Sequence, residues 1–476
     1  MSEPAGRASQ APLLIRNAEL GGRRRSVRIG GGRVLEMGAG LVARPGEEVV
    51  EGGGGALLPG LHDHHLHLWA LAATERSVPV GPPSVRDLAG LSSALRHAAR
   101  EAPDGSWIRA VGYHESVAGP LDRWVLDRLV ADRPVRVQDR SGALWVLSSA
   151  GAAAVGLSDV GDVDGVERRD DGVPTGRLWR LDGWLRERLP AEPLDLASAA
   201  RRLLRTGVTG MTDATPTEDH GALRLLARAR RGGDVPQRVL ITGGPALAPD
   251  VVPDLERGPV KLLPPDHVPP VFDQLLAGIR AARAQGRAVA VHCVTAASAA
   301  LAVAAIEEIG PHPGDRIEHG AVVPVELADR VAGLGITVVT NPGFVVTRGD
   351  RYLAEVDAVD QPDLWRCRSL LARGVPLGGG TDAPFGDPDP WTAIAAAITR
   401  RTAAGQSLGP DEGLSPSQAL ALFLSPLERP GGPPRRLDPG VAADLCLLAG
   451  PLAEALADPA RVEVVATVVG GALHRW

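Results

Sequence analysis

Lysine is nearly absent from this chain: among 51 basic residues only Lys261 is a lysine, and the rest are arginine. Arginine stays charged at any physiological pH, whereas a buried lysine amine can lose its proton and act as a nucleophile. Lys261 stands in the apolar run Pro259-Val260-Lys261-Leu262-Leu263, where an unpaired ammonium is costly. Cysteine is scarce as well. Cys293, Cys367 and Cys446 are odd in number and have no metal-type spacing, which excludes a disulfide framework and predicts reduced thiols in a cytoplasmic protein. Aromatics make up 3% of the chain, while 58 glycines and 41 prolines punctuate it with turns. No apolar stretch is long enough to span a bilayer, and Met1-Ser2-Glu3-Pro4-Ala5-Gly6-Arg7 has no apolar signal segment. A net charge of −6 with a pI near 6.1 gives no reason to expect nucleic acid or an anionic membrane as partner. A small molecule is the expected partner, and self-association is left open.

What is present is the composition of a globular protein, 44% hydrophobic and 23% charged over 476 residues. Residues 1–58 alternate apolar and polar positions between glycines, at Leu13 to Arg16, Ser26 to Ile29 and Arg33 to Met37. Residues 431–476 behave alike, at Ala443 to Leu448 and at Val462 to Val469 before the Gly470-Gly471 turn. Both ends therefore predict short strands, and together one small β-sandwich. Between them, residues 59–430 follow another rhythm, in which apolar runs lead into helical stretches. The runs are Gly207 to Asp213, Arg238 to Thr242, Pro259 to Leu263, Ala288 to His292, Asp315 to His319, Ile336 to Thr340 and Val375 to Asp382. Leu275 to Arg283, Ala296 to Ile309 and Leu327 to Leu334 read as helices between them. With the run ending at His67 there are eight such units, which predicts an α/β fold, a (β/α)8 TIM barrel. Residues 75 to about 200 break the alternation and predict an insertion after the first strand.

The chemistry gathers at the ends of these runs. In Pro59-Gly60-Leu61-His62-Asp63-His64-His65-Leu66-His67-Leu68, alternate residues of a strand share a face, so His65 and His67 project together with Asp63, and His62 and His64 point the other way. Lys261, His292, His319 and Asp382 also fall at or near the C-terminal ends of their runs, where barrel enzymes keep their active sites. Imidazole nitrogens with carboxylate oxygens suit Zn²⁺ and related divalent ions. From the loops and the insertion, His114, Glu115, Arg140, Asn341 and Arg348 are weaker candidates for substrate contacts.

Three segments carry a family resemblance: Pro59 to Leu68, Asp315-Arg316-Ile317-Glu318-His319, and Gly380-Thr381-Asp382-Ala383-Pro384. They resemble the strand-one, strand-six and strand-eight motifs of the amidohydrolase superfamily, most of all its amidohydrolase-3 (YtcJ-like) branch. The resemblance implies one or two divalent ions, Zn²⁺ foremost. His65, His67 and Asp382 would hold the buried ion, and His292 and His319 a second. Lys261 matches the position where many members carry a lysine carboxylated by CO₂, whose carbamate bridges two metals. The implied activity is metal-dependent hydrolysis of a small-molecule amide or other C–N bond, by a water activated on the metal, with Asp382 as general base and acid. Ester or lactone hydrolysis, deamination and decarboxylation are alternatives on the same site. A catalytically silent scaffold is another, which an intact ligand set argues against. The chain departs from the pattern after His292, where Cys293-Val294-Thr295-Ala296 replaces a Gly-Asp-Arg type segment. The Glu that cytosine-deaminase-like relatives place there is missing too, which counts against a deaminase.

Overall fold

The computed structural model of the chain describes residues 11–190, 194–216, 220–247, 254–264 and 271–476. The segment Met1 to Arg7 and residues 191–193 of the expected insertion lie outside the described residues. Contacts divide the chain into two compact units, Met1–Leu68 with Leu196–Trp476, and Trp69–Asp195.

The first unit is mixed α/β. Its parallel strands are β1 (Leu61–Leu66), β2 (Val208–Asp213), β3 (Arg238–Ile241), β4 (Val260–Leu262), β5 (Val289–Cys293), β6 (Arg316–His319), β7 (Thr337–Thr340) and β8 (Leu377–Gly379). One sheet has the order β3-β2-β1, with the two-residue strand Glu256–Arg257 beyond β3, and a second runs β4-β5-β6-β7-β8. Every residue of β1, β2, β6, β7 and β8 is buried, as parallel strands covered on both faces require. Helices follow the strands, among them His220–Gly232, Phe272–Ala284, Ala296–Ile309, Val325–Gly333, Gly343–Glu355 and Pro390–Thr399. The sequence places their starts. Thr295 and Ser298 form a reciprocal capping box at Ala296–Ile309, and Asp389 caps Pro390–Thr399 with proline in the first turn.

Hydrogen bonds join the edges of the two sheets. At one edge Lys261 N–H donates to Gly243 O at 2.8 Å. At the other, Asp382 N–H donates to His65 O at 2.7 Å and His67 N–H to Ala383 O at 2.8 Å. Toward the N-terminal end of this seam, Leu422 and Phe423 enter between the strands. Their carbonyls accept from Gly379 N–H and His62 N–H, both at 2.8 Å. The strand expected over Val375 to Asp382 is confined to Leu377–Gly379, and Asp382, three residues beyond its end, has φ +56.

The chain ends supply two four-stranded sheets. One orders Arg33–Gly38, Arg23–Gly30, Leu13–Leu20 and Glu48–Glu51; the other orders Ala472–Arg475, Val464–Val469, Leu445–Leu448 and Leu57–Pro59. They share one apolar core, in which Leu13, Ile15, Val27 and Ile29 pack with Leu445, Leu447, Ala466 and Val468. Glu48–Glu51 and Leu57–Pro59 were not evident from the sequence, being too short to show alternation. The second unit, Trp69–Asp195, has its own six-stranded mixed sheet over two apolar clusters. Among the described residues no helix is long and apolar enough to cross a membrane.

The seam between β1 and the end of β8 demands glycine. A Cβ on Gly380 would lie 2.5 Å from His65 Cβ and 2.9 Å from His65 N. Gly380→Ala is therefore expected to cost about 1–3 kcal/mol, the scale of overpacking, as read by urea denaturation; an unchanged midpoint would show that the seam can open without loss.

Candidate metal centre

His65 and His67 sit at the end of β1, with ring centroids 5.4 Å apart. Across the seam, Asp382 Oδ1 lies 3.6 Å from His65 Nε2 and 3.3 Å from His67 Nε2. Among the described residues this is the one group of three or more histidine, cysteine or carboxylate side chains whose donor atoms all lie within 4.8 Å of one another. His319, at the end of β6, brings its Nδ1 to 4.0 Å from Asp382 Oδ2. Its ring centroid is 4.6 Å from that of His65 and 4.5 Å from that of His292. His319 and Asp382 both hold a left-handed backbone, φ +68 and +56. Such conformations cost non-glycine residues on the order of 1–3 kcal/mol and concentrate at functional sites.

Each of three rings is held through Nδ1. His65 Nδ1 contacts Glu318 Oε2, His67 Nδ1 is 3.1 Å from Thr215 Oγ1, and His319 Nδ1 is 2.8 Å from Asn341 Oδ1. An imidazole that donates from Nδ1 to an oxygen keeps the Nε2 lone pair for a cation. Burial, reinforced by the Lys261 charge, holds His65 well below the usual histidine range. Burial and His292 do the same for His319. Burial alone would raise the Asp382 carboxyl, but the hydrogen bond with His67 counters it and the carboxyl lies below its ordinary range. Neutral imidazoles and an ionised carboxylate are the protonation states that cation binding needs.

Lys261, on β4, is 3% exposed. Burial lowers its amine below the ordinary lysine range, against the opposing pull of Glu318. Its Nζ makes no hydrogen bond, and neither do His65 Nε2 and Asp382 Oδ1. Buried polar atoms without partners are rare in folded proteins, and a divalent cation held by His65, His67 and Asp382 would satisfy two of these three. The residues present therefore fit a metal.

Asp63 does not join this group, although strand alternation placed it on the same face. Its Oδ1 accepts from His65 N–H and Thr381 N–H, each at 3.1 Å, and its Oδ2 from the Thr381 hydroxyl. Burial pushes its carboxyl up to about 7. His62 and His64 face away as expected, toward Ser425: His62 Nδ1 lies 3.0 Å from Ser425 O and His64 Nε2 2.9 Å from Ser425 Oγ. Asn341 uses both ends of its amide, since Nδ2 also donates to Gly380 O at 2.9 Å. Arg348 donates to Phe385 O at 2.9 Å and lies 4.0 Å over the Phe344 ring, while Phe385 meets the His67 ring edge-on at 5.4 Å. His114, Glu115 and Arg140 belong to the second unit. There His114 caps the turn Glu115–Ala118, Glu115 lies 3.9 Å from Arg177, and Arg140 N–H donates to Tyr113 O. Sequence reasoning missed the contacts of Glu318 and Thr215. Glu318 stood inside a quoted motif; nothing local pointed to Thr215.

Residues 48–473 match the sequence model described as the amidohydrolase family. The chain is 26% identical, over 94% of each sequence, to an N-substituted formamide deformylase of Arthrobacter pascens. It is 25% identical, over 90% of each, to YtcJ of Bacillus subtilis (strain 168), provisionally named an amidohydrolase. Among solved structures, an uncharacterized metal-dependent hydrolase of Pyrococcus horikoshii OT3 superposes with a TM-score of 0.72, at 20% identity, covering 98% of this chain and 100% of that one. At that identity the likeness establishes the fold.

If His65 and His67 are ligands, replacing both with alanine should lower metal per chain by at least about tenfold while circular dichroism stays that of the folded protein. Unchanged metal content, measured by inductively coupled plasma mass spectrometry, would place the metal elsewhere.

Proposed function

The chain belongs to the amidohydrolase family, and on that premise we propose that it is a metal-dependent hydrolase of an amide or related C–N bond in a small molecule. The observation that carries this proposal is the set of three buried, unpartnered atoms, His65 Nε2, Asp382 Oδ1 and Lys261 Nζ. The two parallel sheets, bonded at both edges, support a (β/α)8 barrel over residues 59–430 with an insertion at about 75–200. Residues 1–58 and 431–476 would then form the β-sandwich. The formamide deformylase among the relatives favours a C–N bond.

His65, His67 and Asp382 would hold one divalent ion, most simply Zn²⁺ by donor type. His292 and His319 would face a second, and a carbamate on Lys261 would bridge the two. Such an ion supplies a water of lowered pKa and polarises a carbonyl oxygen. Lys261 is suited to the carbamate because burial weakens its amine's hold on the proton, and an amine that has lost its proton can attack CO₂. The product is an anion in place of a buried cation, a conversion closed to arginine. Asp382 takes the proton of the attacking water and delivers it to the leaving nitrogen, so that the C–N bond breaks to a carboxylic acid and an amine. The Asp63 carboxylate, on the Thr381 and His65 backbone, holds Asp382 in place across the seam. Three free, buried cysteines accord with a reducing compartment.

Asp382→Asn should keep substrate binding and lose at least about a hundredfold in kcat, the scale for removing a general base. Near-normal turnover would remove Asp382 from the proton path. Lys261→Ala should be inactive and partly restored by acetate, and Lys261→Arg should be as inactive despite its charge. A carbamate carbon resonance should appear in wild-type protein supplied with metal and ¹³C-bicarbonate. A crystal grown with both whose density ends at Nζ would leave a one-metal site of His65, His67 and Asp382.

A further inference from the structure

His65 differs from His67 and His319 in what holds it. Its Nδ1 contacts a carboxylate, Glu318, whereas His67 and His319 are held by a hydroxyl and an amide oxygen. Glu318 is fully buried, and so is the ring it holds. A carboxylate in that setting needs a counter-charge, and the sequence supplies one two residues earlier on the same strand: Arg316 Nε lies 2.5 Å from Glu318 Oε1, and Arg316 is 2% exposed. Alternate residues of β6 point to one face, so the arginine and glutamate side chains run side by side. The result is a buried chain from guanidinium to carboxylate to imidazole, ending at His65 Nε2.

We propose that Arg316 and Glu318 are positioning residues for the metal: Glu318 accepts the Nδ1 proton of His65, fixing the tautomer and the ring so that the Nε2 lone pair faces Asp382, and Arg316 fixes Glu318. Neither touches the metal or the substrate. A carboxylate acceptor strengthens the ring it holds as a metal ligand more than a neutral hydroxyl, the partner of His67, can. Arginine suits the outer place, because its planar group stays charged where a buried lysine would surrender its proton.

This inference rests on the metal-binding proposal for its affinity arm and not for its tautomer arm. Glu318→Gln and Thr215→Val are compared with wild type by Zn²⁺ titration against a competing chelator, with thermal melts to establish folding. Glu318→Gln is expected to weaken Zn²⁺ by about 10–100-fold, and Thr215→Val by less. Glu318→Asp should recover part of the loss by restoring the charge. A Glu318→Gln protein that is folded and binds Zn²⁺ within twofold of wild type would overturn the proposal. Should that variant fail to fold, the wild-type protein decides, through ¹⁵N shifts of the His65 ring assigned with His65→Gln. Protonation at Nδ1 is expected, and protonation at Nε2 in the metal-free protein overturns the proposal. A wild type that binds no Zn²⁺ yet shows the Nδ1–H tautomer would sink the metal proposal and leave the positioning contact standing.

Discussion

Everything at the centre depends on how closely the end of β8 approaches β1. Two backbone hydrogen bonds, Asp382 N–H to His65 O and His67 N–H to Ala383 O, draw the strands together where no continuous ladder runs. Gly380 permits the approach, since any Cβ would collide with His65. Asp63 secures it from below by accepting from Thr381 N–H and His65 N–H. The carboxylate of Asp382 is thereby carried to within 3.6 Å of two imidazoles, and its left-handed backbone is imposed by the seam and not by its own preference.

Burial then sets the chemistry. Removal from water lowers the affinity of the imidazoles and of Lys261 for protons. The hydrogen bond with His67 keeps the Asp382 carboxyl below its ordinary range against the same cost. Three atoms of the proposed ligands, His65 Nε2, Lys261 Nζ and Asp382 Oδ1, are without hydrogen bonds in this dry space, as are Arg316 Nε and Glu318 Oε1 beside them. Asn341, at both ends of its amide, and Asp63, on the backbone, are satisfied by contrast.

The strands and helices of the first unit were largely legible, because parallel strands buried on both faces read as apolar runs and helices begin at recognisable caps. Ala296 to Ile309 was read with the bounds it has. Legibility ended where elements were too short for a period, as at Glu48–Glu51 and Leu57–Pro59. It ended also where a strand stops inside its apolar run, as β8 does. Strand alternation separated His62 and His64 from His65 and His67, yet it misplaced Asp63, whose carboxylate turns back to hydrogen-bond the backbone.

By itself the sequence determined the family, through three motifs, and singled out His65, His67, Lys261, His292, His319 and Asp382 as candidate ligands. These follow from residue type and local spacing: a His-x-His strand end, a lone lysine in an apolar run, an aspartate after a glycine run. Only the tertiary structure decided which partner each ring has. Glu318 lies 253 residues from His65, Thr215 lies 148 from His67, and Thr381 lies 318 from Asp63. Such pairs are set by the register of neighbouring strands and by the closeness of the seam, and no local pattern in the chain encodes a distance across it.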